Sequence, residues 1–203
     1  YAVLRSSMYE GKTAAHLSLN KKFSARSRLK VGAMVDIFSV NYLDSSRNEF
    51  VENWVRKLDA KDQTTMLRAY ASHKYRLKSD LTMNSGLHVL YYDQSNEVSV
   101  EPRLGFKLKL NDKSSASLGY GLHSRMQPMY VYYYKFRDTL LNPGNPTFEA
   151  HNNNIGLTKS HHIIGAYDVQ LKQMLRLKLE AYYQYLYNIP VESRGGSFSL
   201  INQ

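Results

Sequence analysis

From Val98 to Leu110 the chain alternates strictly. Val98, Val100, Pro102, Leu104, Phe106, Leu108 and Leu110 form one apolar set, and Ser99, Glu101, Arg103, Gly105, Lys107 and Lys109 form its polar complement. A period of two separates the faces of a β-strand, whereas a helix would mix these sets at every turn. The pattern returns after Lys172. There Leu175, Leu177, Leu179, Ala181, Tyr183, Tyr185 and Tyr187 oppose Arg176, Lys178, Glu180, Tyr182 and Gln184. Weaker versions run through Leu29–Ile37, Leu81–Tyr91 and Ala116–Leu122, and further strands are expected at about Thr13–Phe23, Thr64–Leu77 and Ile155–Val169. Eight strands result, with a ninth candidate at Ser197–Leu200.

The connections sort into two kinds. Short polar turns are predicted at Ser24-Ala25-Arg26, Lys78-Ser79-Asp80, Asn111-Asp112-Lys113 and about Gln170–Gln173. Between them fall other links, at about Leu43–Gln63, Asp93–Glu97, Gln127–Asn154 and from Val191 onward. The two kinds alternate. Alternate connections of an up-and-down meander lie at opposite ends of the sheet, so all the short turns share one end. Tight turns at one end and longer loops at the other are the layout of an outer-membrane barrel. The strands exceed the roughly 9–11 residues that a tilted strand needs to cross a bilayer. Tyr183, Tyr185 and Tyr187 fall at the long-loop end, where an aromatic girdle is expected. Pro102 stands inside the clearest strand although proline cannot donate to a ladder. Its place near the Asp93–Glu97 link predicts a position above the bilayer.

Composition refines this picture. The 203 residues carry 27 Lys+Arg against 17 Asp+Glu, a net charge of +10, and 17 tyrosines, with no cysteine. Neither a disulfide framework nor a thiolate zinc site is therefore available. The longest apolar runs are only a few residues, which excludes spanning helices, but barrels read as hydrophilic on a sliding average. The chain opens at Tyr1 without a start methionine or signal segment and stops in polar Ile201-Asn202-Gln203, so it reads as a piece of a longer protein. The cations are spread over alternating strands and form no compact patch or helix, which argues against nucleic acid.

Two blocks carry a family likeness. The first is Ser99-Val100-Glu101-Pro102-Arg103-Leu104-Gly105-Phe106, then Leu110-Asn111-Asp112-Lys113, then Leu118-Gly119-Tyr120-Gly121-Leu122-His123-Ser124. The second is Ser160–Asp168 followed by Leu175–Gln184 and Leu186–Val191. Together they resemble the barrel of TonB-dependent outer-membrane receptors, most closely the Bacteroidetes type, and they cover about the second half of the chain. The resemblance implies an all-β, antiparallel up-and-down transmembrane barrel of about 22 strands. Residues 1–203 would then be part of that single barrel domain, with the plug domain and the remaining strands outside this sequence. It further implies energy-coupled import of a scarce nutrient (an iron complex, glycan or peptide) at the outer membrane of a Gram-negative cell. Partners would be outer-membrane lipid and lipopolysaccharide, the plug, the TonB complex through N-terminal parts, and in some relatives a surface lipoprotein. No cofactor is implied.

Recognition is expected around the long segment Gln127–Asn154. Its run Met129–Arg137 and the turn-rich Asn142-Pro143-Gly144-Asn145-Pro146 offer tyrosine and arginine contact area. His123, Arg125, Tyr130, Tyr132, Tyr134 and Arg137 are the candidate ligand contacts, against the simpler reading that the run extends strands above the membrane. Glu101, Arg103, Lys107, Lys109, Arg176, Lys178 and Glu180 are expected to face plug, cargo or water. His161 and His162 are adjacent and diverge in a strand, so they cannot share an ion, and Ser160 diverges likewise. No catalytic constellation or metal site follows, and no enzyme is expected. Gly119-Tyr120-Gly121 lacks the third glycine and the helix of a dinucleotide motif, and its glycines are expected to make room for bulky neighbours. A self-contained small barrel acting as a passive pore or adhesin, and a soluble β-rich binding module, are the rival readings.

Overall fold

The computed structural model describes residues 4–48, 51–134, 136–138, 147–149 and 152–191. In chain order the elements are β1 (Leu4–Lys22), β2 (Ser27–Asn48), β3 (Val51–Arg76), β4 (Leu81–Tyr92), β5 (Glu97–Lys109), β6 (Ser114–Arg125), α1 (Met129–Tyr133), β7 (Phe136–Asp138), β8 (Thr147–Glu149), β9 (Thr158–Lys172) and β10 (Leu175–Tyr187). Strands β1 to β6, β9 and β10 form one antiparallel sheet in sequence order, and β7 and β8 pair as a separate hairpin. Every strand expected within the described residues is present; the ninth, at Ser197–Leu200, lies outside them. No helix among the described residues is long and apolar enough to cross a membrane.

Turn chemistry closes the tight end. Ser24 Oγ accepts the Arg26 amide at 3.1 Å, and Asn111 Oδ1 accepts the Lys113 amide at 2.9 Å. Such side-chain mimics of a backbone turn are why these residue types mark turns. The fourth tight turn is narrower than expected, since β9 continues to Lys172 and a bulge between Leu175 and Arg176 takes up the register. At the other end Asn96 holds φ 50° in the brief β4–β5 connection, a conformation asparagine tolerates.

One expected link is corrected, and the simpler reading of the aromatic run in another does not hold. Leu43–Gln63 is mostly strand: β2 and β3 remain paired up to Asn48 and Val51, with irregularities at Asp44/Ser45 and Arg47/Asn48. The pattern of the lower strands breaks there because the outer face turns polar, as in Asn41, Lys61 and Asp59, while the inner face turns apolar with Tyr42, Leu58 and Ala60, and the ladder itself continues. The aromatic run does not extend a strand. Met129–Tyr133 forms one helical turn entered through Pro128, whose carbonyl accepts the Val131 amide at 3.0 Å.

Register unites the separate apolar sets. Rows such as Val31–Ala71–Leu87–Pro102 and Leu104–Tyr120–Ile163–Tyr183 run across four strands each on one face. That face is the outside: Leu17 is 72 % exposed, Leu118 59 % and Leu179 57 %. On the opposite face Asp36 is 1 % and Glu101 2 % exposed. A soluble module would bury the leucines, each worth about 1.5–3 kcal/mol. Apolar out and charged in is the order of a barrel wall in lipid.

Pro102 sits where pairing changes. It opposes Leu87 of β4, but the β5–β6 ladder begins only at Arg103 and Gly121. The missing proline donor therefore falls beyond the last described β5–β6 pair, toward the long-loop end.

Candidate functional site

The inner face is built in tiers. At the long-loop end Val40, Tyr42, Leu58, Met66, Leu90 and Tyr92 form an apolar layer, and α1 adds Met129, Tyr132 and Tyr133 to it. Tyr132 meets Tyr92 edge to face with ring centroids 5.6 Å apart, and its hydroxyl accepts the Gln127 amide at 3.0 Å. Tyr133 meets Tyr42 edge-on, and its hydroxyl lies 3.0 Å from both Asp62 Oδ2 and Gln94 Oε1. Burial, with Asp62 alongside, pushes the Tyr133 phenol above its ordinary range, so it stays a neutral donor. Glu97 pins the returning chain. Its Oε2 accepts the Leu157 amide at 2.6 Å and its Oε1 lies 2.8 Å from Lys159 Nζ. A Cβ at Gly156 would come within 2.8 Å of the same carboxylate, so a larger residue there would push Glu97 Oε2 aside.

Beneath this layer lies a groove of ≈ 890 Å³ that spans β1 to β6. Two carboxylates organise it. Asp36 stands between Lys12 Nζ at 3.2 Å and the Arg68 guanidinium, whose Nη2 donates to Asp36 Oδ2. Glu101 gathers His88 Nδ1 at 3.0 Å, Arg103 Nη2 at 3.1 Å and the Ser124 amide at 2.9 Å. The last contact ties β5 to β6 in the stretch above Pro102 where the ladder lapses, reinforced by Ser99 Oγ and Ser124 Oγ at 2.5 Å. Buried carboxylates are tolerable because each is paired and hydrogen-bonded. Breaking such a pair costs more than the pair contributes, because the remaining charge stays stranded. Glu101→Ala in the full-length protein is expected to lower unfolding stability by about 3–5 kcal/mol, measured by denaturant titration in detergent. Glu101→Gln, which still accepts the Ser124 amide, should lose less. Equal stability for all three proteins would refute this role.

The candidate contacts separate. His123 and Arg125 line the groove, and Arg103 Nη2 lies 3.3 Å from His123 Nδ1. Tyr132 is fully buried in the layer above, while Tyr130 and Tyr134 are half-buried on and beside α1. Arg137 lies on β7, with its side chain outside the described residues. The charged positions nearer the tight turns pair locally, with Arg176 donating to Asp168, Lys178 Nζ 2.6 Å from Glu180, and Lys109 bonded to Asp112.

His161 and His162 diverge as expected. His161 joins the outer aromatic band, stacking on Tyr187 at 5.2 Å and accepting or donating to the Tyr120 hydroxyl at 2.9 Å. His162 faces inward and meets His123, ring centroids 4.7 Å apart. That meeting is invisible in the sequence, since the two lie 39 positions apart and only the β6–β9 register brings them together. The glycines divide: a Cβ at Gly121 would lie 2.9 Å from His123 Nε2, whereas Gly119 has open space around it.

No protein-family model and no curated protein matches the chain. Solved structures do. The siderophore receptor PirA from Pseudomonas aeruginosa superposes with TM-score 0.63 at 13 % identity, over 88 % of this chain and 32 % of that one. The copper transporter OprC gives 0.64 at 12 %, over 90 % and 31 %, and FpvAI from its complex with pyocin S2 gives 0.58 at 15 %, over 88 % and 24 %. This chain thus spans between a quarter and a third of the length of those proteins. With eight up-and-down antiparallel strands, apolar residues outside and charged ones inside, it has the fold of a stretch of barrel wall as TonB-dependent receptors build it.

Proposed function

We propose that this chain is a wall segment of a plugged, energy-coupled outer-membrane receptor that imports a scarce nutrient. The observation that carries the reading is the inversion of the sheet, with exposed leucines on one face and the Asp36 and Glu101 networks on the other. An outward apolar belt fits lipid, and a charged groove on the inner face fits a wet lumen occupied by plug or cargo. In this reading the complete barrel has about 22 strands, and the plug and the TonB-contacting segment lie in other parts of the protein. The cargo is a small iron complex, glycan or peptide, and His123 and Arg125 are its first contacts on this arc. Tyr130, Tyr134 and Arg137 belong to the loop above, against which a surface lipoprotein would seat. The basic excess meets lipopolysaccharide headgroups outside. The chain supplies positioning and passage, with no catalytic step and no nucleic-acid partner.

Fractionation and uptake test it together. The full-length protein should appear in the outer membrane, leave it only with detergent, and support uptake only when the inner-membrane energising complex is present. Recovery in the aqueous fraction would end the membrane reading, and energy-independent conductance in planar bilayers would favour a passive pore. The self-contained barrel is disfavoured by the sheet itself, because β1 pairs with β2 and β10 with β9, and the two edge strands do not meet among the described residues.

A further inference from the structure

We propose that His123 and His162 form a two-imidazole binding site on the inner face for a late first-row divalent cation, with Cu²⁺ held tightest. The two residues come from neighbouring strands at diagonal positions, His123 opposite Ser160 and His162 opposite Gly121. Gly121 contributes no side chain, and the His123 ring lies over it, with Nε2 2.9 Å from where its Cβ would be. The result is two imidazoles with centroids 4.7 Å apart and ring planes inclined at 59°. Metal–nitrogen bonds of about 2.0–2.1 Å, made by two imidazoles at roughly a right angle, place the ring centroids about 4.5 Å apart. The resting spacing therefore already approximates the bound one.

The surroundings favour a ligand. Among the described residues neither nitrogen of His162 makes a hydrogen bond, so its lone pair is uncommitted. Arg103 bridges His123 and Glu101, and Glu101 can hold it when His123 turns to a cation. No group of three or more His, Cys, Asp or Glu is placed to hold an ion among the described residues. The remaining coordination positions thus fall to water, to the Gln184 carbonyl opposite His162, or to donor atoms of an incoming complex. Gln184 Nε2 already donates to Ser160 Oγ at 3.0 Å, which leaves its oxygen available. Imidazole donors with open positions suit copper, nickel and zinc, and their affinity order places Cu²⁺ first. The site stands on the geometry of the inner face and does not require the transport reading.

The test uses the full-length protein, purified in detergent without a polyhistidine tag and titrated with Cu²⁺ alone. Electron paramagnetic resonance should show one copper coupled to two imidazole nitrogens. His162→Ala and His123→Ala should each weaken binding by about 10–100-fold or more, the effect known for losing even an outer partner of a metal site. His161→Ala, next in sequence but on the outer face, should bind as the parent does. Acidification should release the ion, since protons compete with it for the same nitrogens. Heat-shifted migration of each variant on gels confirms that its barrel is intact, and His162→Gln serves as the variant of closest shape. A copper signal with no imidazole nitrogens, no binding by the parent, or unchanged binding in both inner-face variants would overturn the proposal. Failure of the fractionation experiment with copper binding intact would leave the site standing and remove only the transport reading.

Discussion

Residues 1–203 produced alone are expected to form no closed, heat-resistant monomer. The eight-stranded sheet ends in β1 on one side and β10 on the other, and among the described residues each is hydrogen-bonded along one edge only. β1 has 19 residues and β10 has 13, so each open edge presents a row of unpaired amides and carbonyls. In water such an edge invites aggregation, and in hydrocarbon each unsatisfied group costs several kcal/mol. Nor can the piece hide its apolar face, since the exposed leucines lie on the side opposite the buried tiers. The sheet is therefore expected to be stable only inside a larger closed wall. Folding the piece into detergent micelles and comparing heated and unheated migration checks this. A compact monomer that resists heat would require β1 to pair with β10 and would favour the self-contained barrel.

Much of this wall is legible in the sequence because a strand in lipid must alternate. Leu104, Phe106 and Leu108 lie on the exposed outer face, and Arg103, Lys107 and Lys109 on the inner one, so β5 is readable from periodicity alone. Legibility ends where that constraint ends. In the β2–β3 hairpin beyond Val40 the outer face turns polar and the inner face apolar, so the alternation that would have marked Leu43–Gln63 as strand breaks while the ladder persists. The run Met129–Tyr133 is read as amphipathic contact surface, yet the same aromatic residues fill the space between Tyr42 and Tyr92 once the chain turns inward. Part of the tyrosine excess is therefore interior packing, alongside the outer band of Tyr183, Tyr185 and Tyr187. The groove is the least legible feature. Asp36, Arg68, His88, Glu101 and His123 in the groove, with His162 beside it, come from six strands, and nothing local in the sequence says which pairs register will join.

Leu118→Arg is expected to destabilise the full-length barrel by about 2–4 kcal/mol, the cost of a charge on the lipid face near the bilayer midplane. Leu118 is flanked along β6 by outward Ala116 and Tyr120, and across the ladder by Phe106 on one side and Gly165 on the other. No described acidic residue stands directly opposite it, so the guanidinium has no cross-strand partner there and must deform the bilayer or reach for its surface. Ser115→Arg provides the contrast. Only three positions away but on the inner face, Ser115 stands between Lys109 and Asp168, the latter shared with Arg176, so an arginine there has a charged, polar surround and, in a barrel, water in place of hydrocarbon. The soluble reading gives no cause for this asymmetry to depend on a bilayer. Denaturant unfolding of both variants in lipid vesicles, each against the parent, should therefore show a large loss for Leu118→Arg and a change within about 0.5 kcal/mol for Ser115→Arg. Equal losses would mean that the face carrying Leu104, Leu118 and Leu179 does not meet lipid, and the barrel-wall assignment would fall with it.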